Sequence, residues 1–229
     1  MKSVEVQIDL RRTRREAAES FRHAMAAQGT LVVRLMSSPG SGKTTLLQHT
    51  AQRLTATHRV AILVGDVETQ RDAERLAPYA PTRQITTGGA CHLELPLVED
   101  SWRQLDAGRV DFLFVEDIGN LICPASHDLG EHLRVLLLST TEGDDKPGKY
   151  PKAFRTSDVV VISKTDLLAH VPFDVACAEK DARNVRDDLV FFRLSALRGE
   201  GVDAWVRFLL ERRDALRRGA TGSSADALP

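Results

Sequence analysis

Residues 37–45 carry the most specific chemical signal in the sequence, Ser-Ser-Pro-Gly-Ser-Gly-Lys-Thr-Thr. They match the phosphate-binding pattern G-x-x-x-x-G-K-[ST], except that Ser37 stands in place of the first glycine. Gly40 and Gly42 allow a tight wrap in which successive backbone N–H groups face one anion. Lys43 is long enough to reach the β- and γ-phosphates, and Thr44 offers a hydroxyl to Mg²⁺. The segment therefore predicts a nucleoside triphosphate site rather than an ordinary glycine–serine turn before a helix. The residues predicted to contact the nucleotide here are Pro39, Gly40, Ser41, Gly42, Lys43, Thr44 and Thr45.

Carboxylates follow two other apolar runs and are candidate Mg²⁺ ligands. Asp66 ends one run, and Glu116 and Asp117 end another. In open α/β sheets ligands gather at the carboxyl ends of the strands, so these side chains are expected near the phosphate loop. A turn or helix cap is the alternative for each. Asp66 and Glu116 are the preferred ligands, and Asp117 is the weaker candidate. The predicted catalytic set is Lys43, Thr44, Asp66 and Glu116.

A later segment predicts which base is bound. The run Asp-Val-Val-Val-Ile-Ser leads into Lys164-Thr165-Asp166. A carboxylate at Asp166 accepts hydrogen bonds from guanine N1–H and the 2-amino group, whereas adenine would leave it unpaired. Ser163 stands where the guanine motif Asn-Lys-x-Asp has asparagine. About thirty residues later Ser195 and Ala196 resemble a loop whose backbone N–H meets guanine O6. Together with the phosphate loop, this order favours guanine.

A thiol–imidazole group falls on two loops near the same edge. Cys91 and His92 follow a Thr-Thr-Gly-Gly-Ala segment, and Cys123 follows the Glu116 run. Thiolate and imidazole suit Zn²⁺ and Ni²⁺, whereas Mg²⁺ prefers oxygen. Three ligands are too few, but a two-fold dimer would supply more, and His127 is a weaker extra candidate. Because the spacing lacks a C-x-x-C signature, the residues alone favour small buried cysteines, with His92 in the first turn of a helix. Cys177, in a probable helix, is expected in the core.

The elements that position these residues are strands alternating with helices. Short, β-branched, almost continuously apolar runs indicate strands buried on both faces. Segments of helical spacing lie between several of them, which predicts βαβ units. The expected fold is α/β, a P-loop nucleotide-binding fold with a mostly parallel, helix-flanked central sheet. The strands are expected at 31–36, 60–65, 111–116, 132–139, 158–163 and 189–195, and the helices at 11–28, 44–57, 174–187 and 202–218.

Composition bounds the partners and the organisation. With 31 Lys and Arg against 32 Asp and Glu, the chain has no net field for nucleic acid or an anionic membrane. No run of 18 apolar residues and no apolar leader is present, so we expect a cytoplasmic protein with no membrane partner. The expected organisation is an N-terminal helical extension (1–29), a GTPase domain (30–218) and a disordered tail (219–229).

Taken together, the motifs resemble the HypB-type hydrogenase nickel-incorporation GTPases, members of the SIMIBI class of P-loop GTPases. The resembling segments, in order, are RLMSSPGSGKTTLL, ILVGDVETQRDAERL, QITTGGACHLE, FVEDIGNLICPA, LLSTTEGDDKP, VVISKTDLL and LSALRGEGVDAW. They cover most of the chain between residues 31 and 208. The Cys-His dipeptide favours this family over the related urease accessory GTPases, which carry Cys-Pro-His.

The resemblance implies a metal-regulated GTPase that binds GTP/GDP and Mg²⁺ and delivers nickel to the [NiFe]-hydrogenase large-subunit precursor, alongside other nickel-insertion accessory proteins. It also implies a GTP-favoured homodimer with an interfacial Ni²⁺ or Zn²⁺ site at Cys91, His92 and Cys123. The first 30 residues hold no cysteine and one histidine, so an N-terminal nickel store is not expected. The alternatives are a P-loop small-molecule kinase and a GTP-dependent interaction module without metal traffic.

Overall fold

The computed structural model describes residues 2–66 and 70–225 and places seven strands in one sheet. The strands run in the order β3-β2-β4-β1-β5-β6-β7, and every neighbouring pair is parallel. This confirms the predicted α/β fold with a helix-flanked parallel sheet. The strands are β1 (Leu31–Ser37), β2 (Val60–Asp66), β3 (Thr82–Thr86), β4 (Phe112–Glu116), β5 (Leu133–Ser139), β6 (Val159–Ser163) and β7 (Val190–Arg193).

Central strand β1 shows why the apolar runs form strands. All of its residues are buried. Leu31, Val33 and Leu35 pack into the cluster on one face of the sheet, while Val32 points to the other face. This alternation follows from the two-residue period of a strand, and burial on both faces explains why the strand is apolar at every position except Arg34 and the terminal Ser37.

Edge strand β3 was not predicted, because its sequence, Thr-Arg-Gln-Ile-Thr, lacks an apolar run. Only Ile85 in it is buried. An edge strand has a single neighbour, so it needs less apolar surface than a central one. β3 matters for the site because the loop that follows it carries Cys91 and His92.

Helices cover both faces of the sheet. Helices α2, α3 and α8 pack on one face, and α1, α4, α6 and α7 on the other. None of the described helices combines the length and apolar composition that a membrane span requires. The helices are α1 (Lys2–Ala27), α2 (Lys43–Leu54), α3 (Arg71–Leu76), α4 (Leu95–Leu105), α5 (Lys146–Lys149), α6 (Pro151–Arg155), α7 (Val175–Val185) and α8 (Val202–Ala225).

The two terminal segments differ from the sequence-based boundaries. Helix α1 is longer than the predicted 11–28 and buries Ala18, Phe21 and Met25 against the sheet. Helix α8 continues to Ala225, so residues 219–225 are helical rather than part of a disordered tail. A small-residue segment such as this extends a helix when the preceding turns are anchored by packing. Residues 226–229 lie outside the described part, and their predicted disorder stays a prediction.

Candidate functional site

The phosphate loop joins β1 to α2 at the carboxyl edge of the sheet. Gly40 (φ 73°) and Gly42 (φ 98°) both adopt the left-handed conformation that other residues avoid. No described atom lies within 4 Å of the position that a Cβ would take at either glycine. The loop therefore bends around open space at the start of a helix, which is the geometry that holds an anionic group.

Ser37, which departs from the glycine pattern, takes part in the loop's hydrogen bonding. Its hydroxyl accepts a hydrogen bond from Lys43 Nζ (2.9 Å) and donates one to the Ser38 carbonyl (2.6 Å). Both Ser37 and Lys43 are buried. A glycine would offer no side chain to the ammonium, so the serine positions Lys43 next to the phosphate loop.

Thr44 and Glu116 form a direct pair beneath this loop. Thr44 Oγ1 donates to Glu116 Oε1 at 2.8 Å, while Glu116 Oε2 is buried with no hydrogen-bond partner among the described residues. Burial raises the pKa of Glu116 to about 7, against the opposing effects of Lys43 and the Thr44 hydroxyl. A hydroxyl and an unpartnered buried carboxylate oxygen are hard ligands of the kind Mg²⁺ prefers, so these residues fit that ion. Asp66 is half-buried at the end of β2, next to residues 67–69, which are outside the described part.

Asp117, the weaker Mg²⁺ candidate, is instead held by a buried ion pair. Arg34 Nε donates to Asp117 Oδ2 at 2.8 Å, and both side chains have no exposed surface. The other carboxylate oxygen accepts the Ile118 N–H (2.8 Å) and the Leu93 N–H (3.4 Å). Arg34 also contacts Glu131. These contacts make Asp117 a structural anchor between β1 and the loop that contains Cys91 and His92.

The predicted base-binding residues line one cleft of about 260 Å³ beside the phosphate loop. Lys164 has a left-handed backbone (φ 59°), and its carbonyl accepts a hydrogen bond from Thr140 Oγ1 at 2.9 Å. Such strain in a non-glycine residue is typical of functional loops. Asp166 is half-buried, and Leu197, 77% exposed, offers an apolar surface. The cleft is lined by Ser41, Gly42, Thr45, Leu46, Ser163, Lys164, Asp166, Leu167, Leu194, Ser195, Ala196 and Leu197.

Ser163 connects the base-binding segment to the phosphate loop. Its buried hydroxyl donates to the Ser41 carbonyl at 2.8 Å. Ser41 is held from a second side, because the single proton of its hydroxyl has two acceptors within reach, the Ser38 carbonyl (2.8 Å) and a Glu142 carboxylate oxygen. The serine in place of asparagine therefore still joins the two segments. Glu142 lies in the 141–151 segment, to which no role was assigned from the sequence.

Cys91, His92 and Cys123 come together on the surface of one chain. Their candidate ligand atoms all lie within 4.8 Å of one another, and Cys91 Sγ is 3.7 Å from His92 Nδ1. The Cys123 thiol raises the pKa of Cys91, as expected for two adjacent thiols that compete for charge. Asn120 holds the two loops together, because its Nδ2 donates to the Cys91 carbonyl (3.2 Å) while its Oδ1 accepts the Ile122 N–H (2.9 Å).

His127 packs against this group by a different route. Its ring stacks on that of His92, with centroids 3.9 Å apart, and its Nδ1 lies 2.9 Å from the Cys123 carbonyl. Cys177 is exposed, so its predicted place in the core is wrong. α7 turns Ala178 and Ala182 inward instead, and the helical period leaves Cys177 on the outer face.

The two thiol-bearing loops touch the nucleotide edge directly. A Cβ at Gly119, in the loop before Cys123, would lie 2.9 Å from Pro39 Cα in the phosphate loop. A Cβ at Gly65, next to Asp66, would lie 2.9 Å from Leu93 Cδ1. At Gly119 the neighbour is backbone, so only glycine permits the approach, whereas at Gly65 it is the end of a Leu93 side chain. Both loops are therefore packed against residues at the edge of the sheet where the nucleotide is expected. Spacing in the sequence gives no sign of these contacts.

The chain is similar to known proteins over most of its length. A family model described as the CobW/HypB/UreG nucleotide-binding domain matches residues 31–193. The hydrogenase maturation factor HypB of Escherichia coli K12 is 42% identical over 213 residues, which cover 93% of this chain and 73% of that protein.

Two solved structures share the fold and a substantial part of the sequence. The crystal structure of Helicobacter pylori HypB in complex with nickel aligns with a TM-score of 0.84 and 36% identity, over 89% of this chain and 96% of that one. Archaeoglobus fulgidus HypB aligns with a TM-score of 0.81 and 34% identity, over 88% and 98% of the two chains. The chain therefore belongs to the CobW/HypB/UreG family of nucleotide-binding proteins and, within it, to the HypB proteins.

Proposed function

We propose that this protein is a GTPase whose nucleotide state controls delivery of nickel to the precursor of a [NiFe]-hydrogenase large subunit. Relatives named as hydrogenase maturation factors and a relative crystallised with nickel support this proposal. The observation that carries it is the contact of Gly119, in the loop before Cys123, with Pro39 in the phosphate loop. Because the two loops are in contact, a movement of the phosphate loop on nucleotide exchange would displace the loop that carries Cys123.

Nucleotide binding is assigned to residues 39–45 together with the carboxylates at the strand ends. The loop N–H groups and the Lys43 ammonium orient the phosphates, which supplies most of the catalysis in phosphoryl transfer. Mg²⁺, held by Thr44 and Glu116 with Asp66 nearby, would neutralise charge on the β- and γ-phosphate oxygens. No described side chain stands out as a general base, so slow turnover, suited to a switch, is expected.

Guanine selectivity is assigned to Asp166, with Lys164 along the base plane and the Ser195–Ala196 backbone at guanine O6. Asp166→Asn tests the assignment directly, because an asparagine amide donates where the carboxylate accepted. The variant is expected to lose affinity for GTP by several kcal/mol, of the order that a site pays for unpaired polar groups, and to gain affinity for xanthosine triphosphate. Unchanged GTP binding would remove Asp166 from the base site.

Nickel is the cargo of the Cys91, His92 and Cys123 group, and Zn²⁺ is the other ion that suits the same ligands. One chain contributes three ligands, whereas closed thiolate sites hold four. Cys91 is exposed and Cys123 half-buried, so a second copy of the chain has access to the ion. We infer a homodimer whose interface includes this site and which forms preferentially with GTP.

The experiment that tests the function is a Ni²⁺ titration of the full chain with GDP and with a non-hydrolysable GTP analogue, with molecular mass measured in parallel. We expect the affinities to differ by about 5- to 150-fold, the usual range of coupling between two sites. Cys91→Ala with Cys123→Ala should abolish the thiolate-dependent binding, while the matched control Cys177→Ala should leave it intact.

Three results would reject the proposal, and two of them would favour its rivals. Equal nickel affinity in both nucleotide states would leave no coupling for delivery. Phosphate transfer to a small-molecule acceptor, with no metal on the thiols, would identify a kinase. If Cys91→Ala and Cys123→Ala leave hydrogenase maturation intact in cells, the chain acts as a GTP-dependent interaction module without metal traffic.

A further inference from the structure

The His92 ring faces two different sets of potential ligands. Its Nδ1 lies 3.7 Å from Cys91 Sγ, on the side of the thiols. Its Nε2 lies 3.8 Å from Glu94 Oε1, and this nitrogen is buried with no hydrogen-bond partner among the described residues. A buried ring nitrogen without a partner is uncommon in a folded protein and needs an explanation.

His127 completes the second set. Its ring stacks on His92, and its Nδ1 is 2.9 Å from the Cys123 carbonyl. A carbonyl only accepts hydrogen bonds, so Nδ1 carries the proton and the lone pair of neutral His127 is on Nε2. A backbone carbonyl that fixes the tautomer in this way is the usual outer contact of a metal-bound histidine. One ligand atom each from His92, Glu94 and His127 lies within 4.8 Å of the others.

We propose that His92, Glu94 and His127 form a second divalent-metal site, which shares His92 with the thiol site. Two imidazoles and a carboxylate suit Ni²⁺ and Zn²⁺ and contain no thiolate. Neutral His92 has one lone pair, so it ligates through Nδ1 at the thiols or through Nε2 at the second site, but not both. The two sites therefore compete for His92, and we expect one ion per chain at saturation. That the ion is nickel rests on the proposed function.

The second site includes the exposed Glu94, whose carboxylate already pairs with a cation. Arg14 Nη2 of α1 is 3.7 Å from Glu94 Oε1, with both side chains largely exposed. Exposed pairs of this length are weak, so a divalent ion displaces the arginine at little cost. An ion that leaves the thiols therefore finds the ligands of the second site within a few ångströms. During this transfer His92 moves its ring proton from Nε2 to Nδ1 by exchange with water, so that Nε2 becomes the ligating nitrogen.

The test removes the thiol site and retains the other. The full-length chain, free of any affinity tag and stripped with chelator, carries Cys91→Ser with Cys123→Ser and is titrated with Ni²⁺. We expect one Ni²⁺ per chain without the thiolate-to-nickel charge-transfer absorption of the wild type. Adding His127→Phe, which preserves the ring stack on His92, is expected to weaken this remaining binding about tenfold or more. Glu94→Gln should do the same, and His170→Phe, at an exposed turn, serves as the control.

Three results would overturn the proposal. The double serine variant binds no Ni²⁺, or it binds equally well with His127→Phe, or the wild type binds two ions per chain at saturation. Failure of the proposed function gives a different pattern. Wild-type protein would then show no thiolate charge transfer, or no effect of nucleotide, while the residual binding of the serine variant still depends on His127.

Discussion

The buried Glu116 carboxyl makes a specific prediction about stability and pH. Its pKa is raised to about 7 by burial in the folded chain, against an ordinary value of 4.5. The native state therefore holds a proton on Glu116 between pH 4.5 and 7 that the unfolded chain releases. The contribution of Glu116 to the free energy of unfolding is fully present below pH 4.5, where both states are protonated, and is lost as the pH rises through 7. Glu116→Gln, which cannot titrate, removes the dependence.

The size of the effect follows from the pKa difference. Each unit corresponds to about 1.4 kcal/mol, so the wild type is expected to lose roughly 3 kcal/mol relative to Glu116→Gln between pH 4.5 and pH 7.5. Glutamine keeps an oxygen that accepts the Thr44 hydroxyl, so the two proteins should have similar stability at the acid end.

Urea unfolding of both proteins from pH 4.5 to 8, without nucleotide or Mg²⁺, measures this difference. Comparing the two proteins cancels the titration of every other group that the substitution leaves unchanged. Mg²⁺ with nucleotide should abolish the loss, because the ion requires the ionised carboxylate. A constant difference in unfolding free energy across this pH range would refute the assignment of a protonated Glu116.

Three further perturbations test other parts of the structure. Asp117→Asn removes the closer of the two buried carboxylates that pair with Arg34 and leaves only Glu131, so unfolding free energy should fall by about 3 kcal/mol and Tm by about 6–12 °C in a calorimetric scan. Gly119→Ala pushes against Pro39, so Ni²⁺ titrations should still show binding but no longer depend on the nucleotide. His132 has its pKa lowered to about 4 by burial. It therefore stays neutral in the folded chain, whereas the unfolded chain takes up a proton as the pH falls below 6.5. The free energy of unfolding should fall by up to about 3 kcal/mol from pH 6.5 to 4, and His132→Gln should remove this loss.

Matched controls separate these effects from general damage. Glu19→Gln breaks an exposed helix pair and should leave Tm unchanged. Gly148→Ala meets nothing within 4 Å and should preserve the nucleotide effect on nickel binding. His170→Gln, at an exposed turn, should retain the wild-type pH profile. If Asp117→Asn melts like Glu19→Gln, the ion pair is not structural. If Gly119→Ala preserves the nucleotide effect on nickel binding as Gly148→Ala does, the Pro39 contact does not carry the coupling. If the stability of His132→Gln depends on pH as that of the wild type does, His132 is not the group whose protonation destabilises the fold in acid.

The sequence predicted those parts of the structure in which a short stretch of residues contains everything that the element needs to form. Strands β1, β2, β4, β5 and β6 are buried on both faces, so burial appears in the sequence as an almost continuously apolar run, interrupted by Arg34 in β1 and Arg134 in β5. The phosphate loop likewise holds its glycines, lysine and threonine within nine residues. Edge strand β3 and helix α4 escaped prediction because their stability depends on packing against neighbours more than on local composition.

Long-range contacts account for what could not be predicted at the site. Asp117 follows a strand just as a metal ligand would, and only its pairing with Arg34, 83 residues away, shows the structural role. His127 is four residues from Cys123 in sequence, but its stacking on His92 depends on the approach of two loops. A short motif cannot encode such pairings, because they arise from the order of the strands.

The coupling proposed here has a reciprocal consequence that tests the same contacts from the other side. Three contacts join the loops that carry Cys91 and Cys123 to the edge of the sheet where the nucleotide is expected. They are Leu93 with Gly65, Gly119 with Pro39, and the hydrogen bond from the Leu93 N–H to Asp117. If nucleotide state changes nickel affinity through them, nickel must change the GTP-to-GDP affinity ratio by the same factor. A variant that weakens only one contact must reduce both effects equally. Linkage makes the two reductions equal whatever the path, so the result that decides is whether the variant reduces the coupling at all. If the effect of nickel on the GTP-to-GDP affinity ratio is unchanged in the variant, that contact is incidental packing.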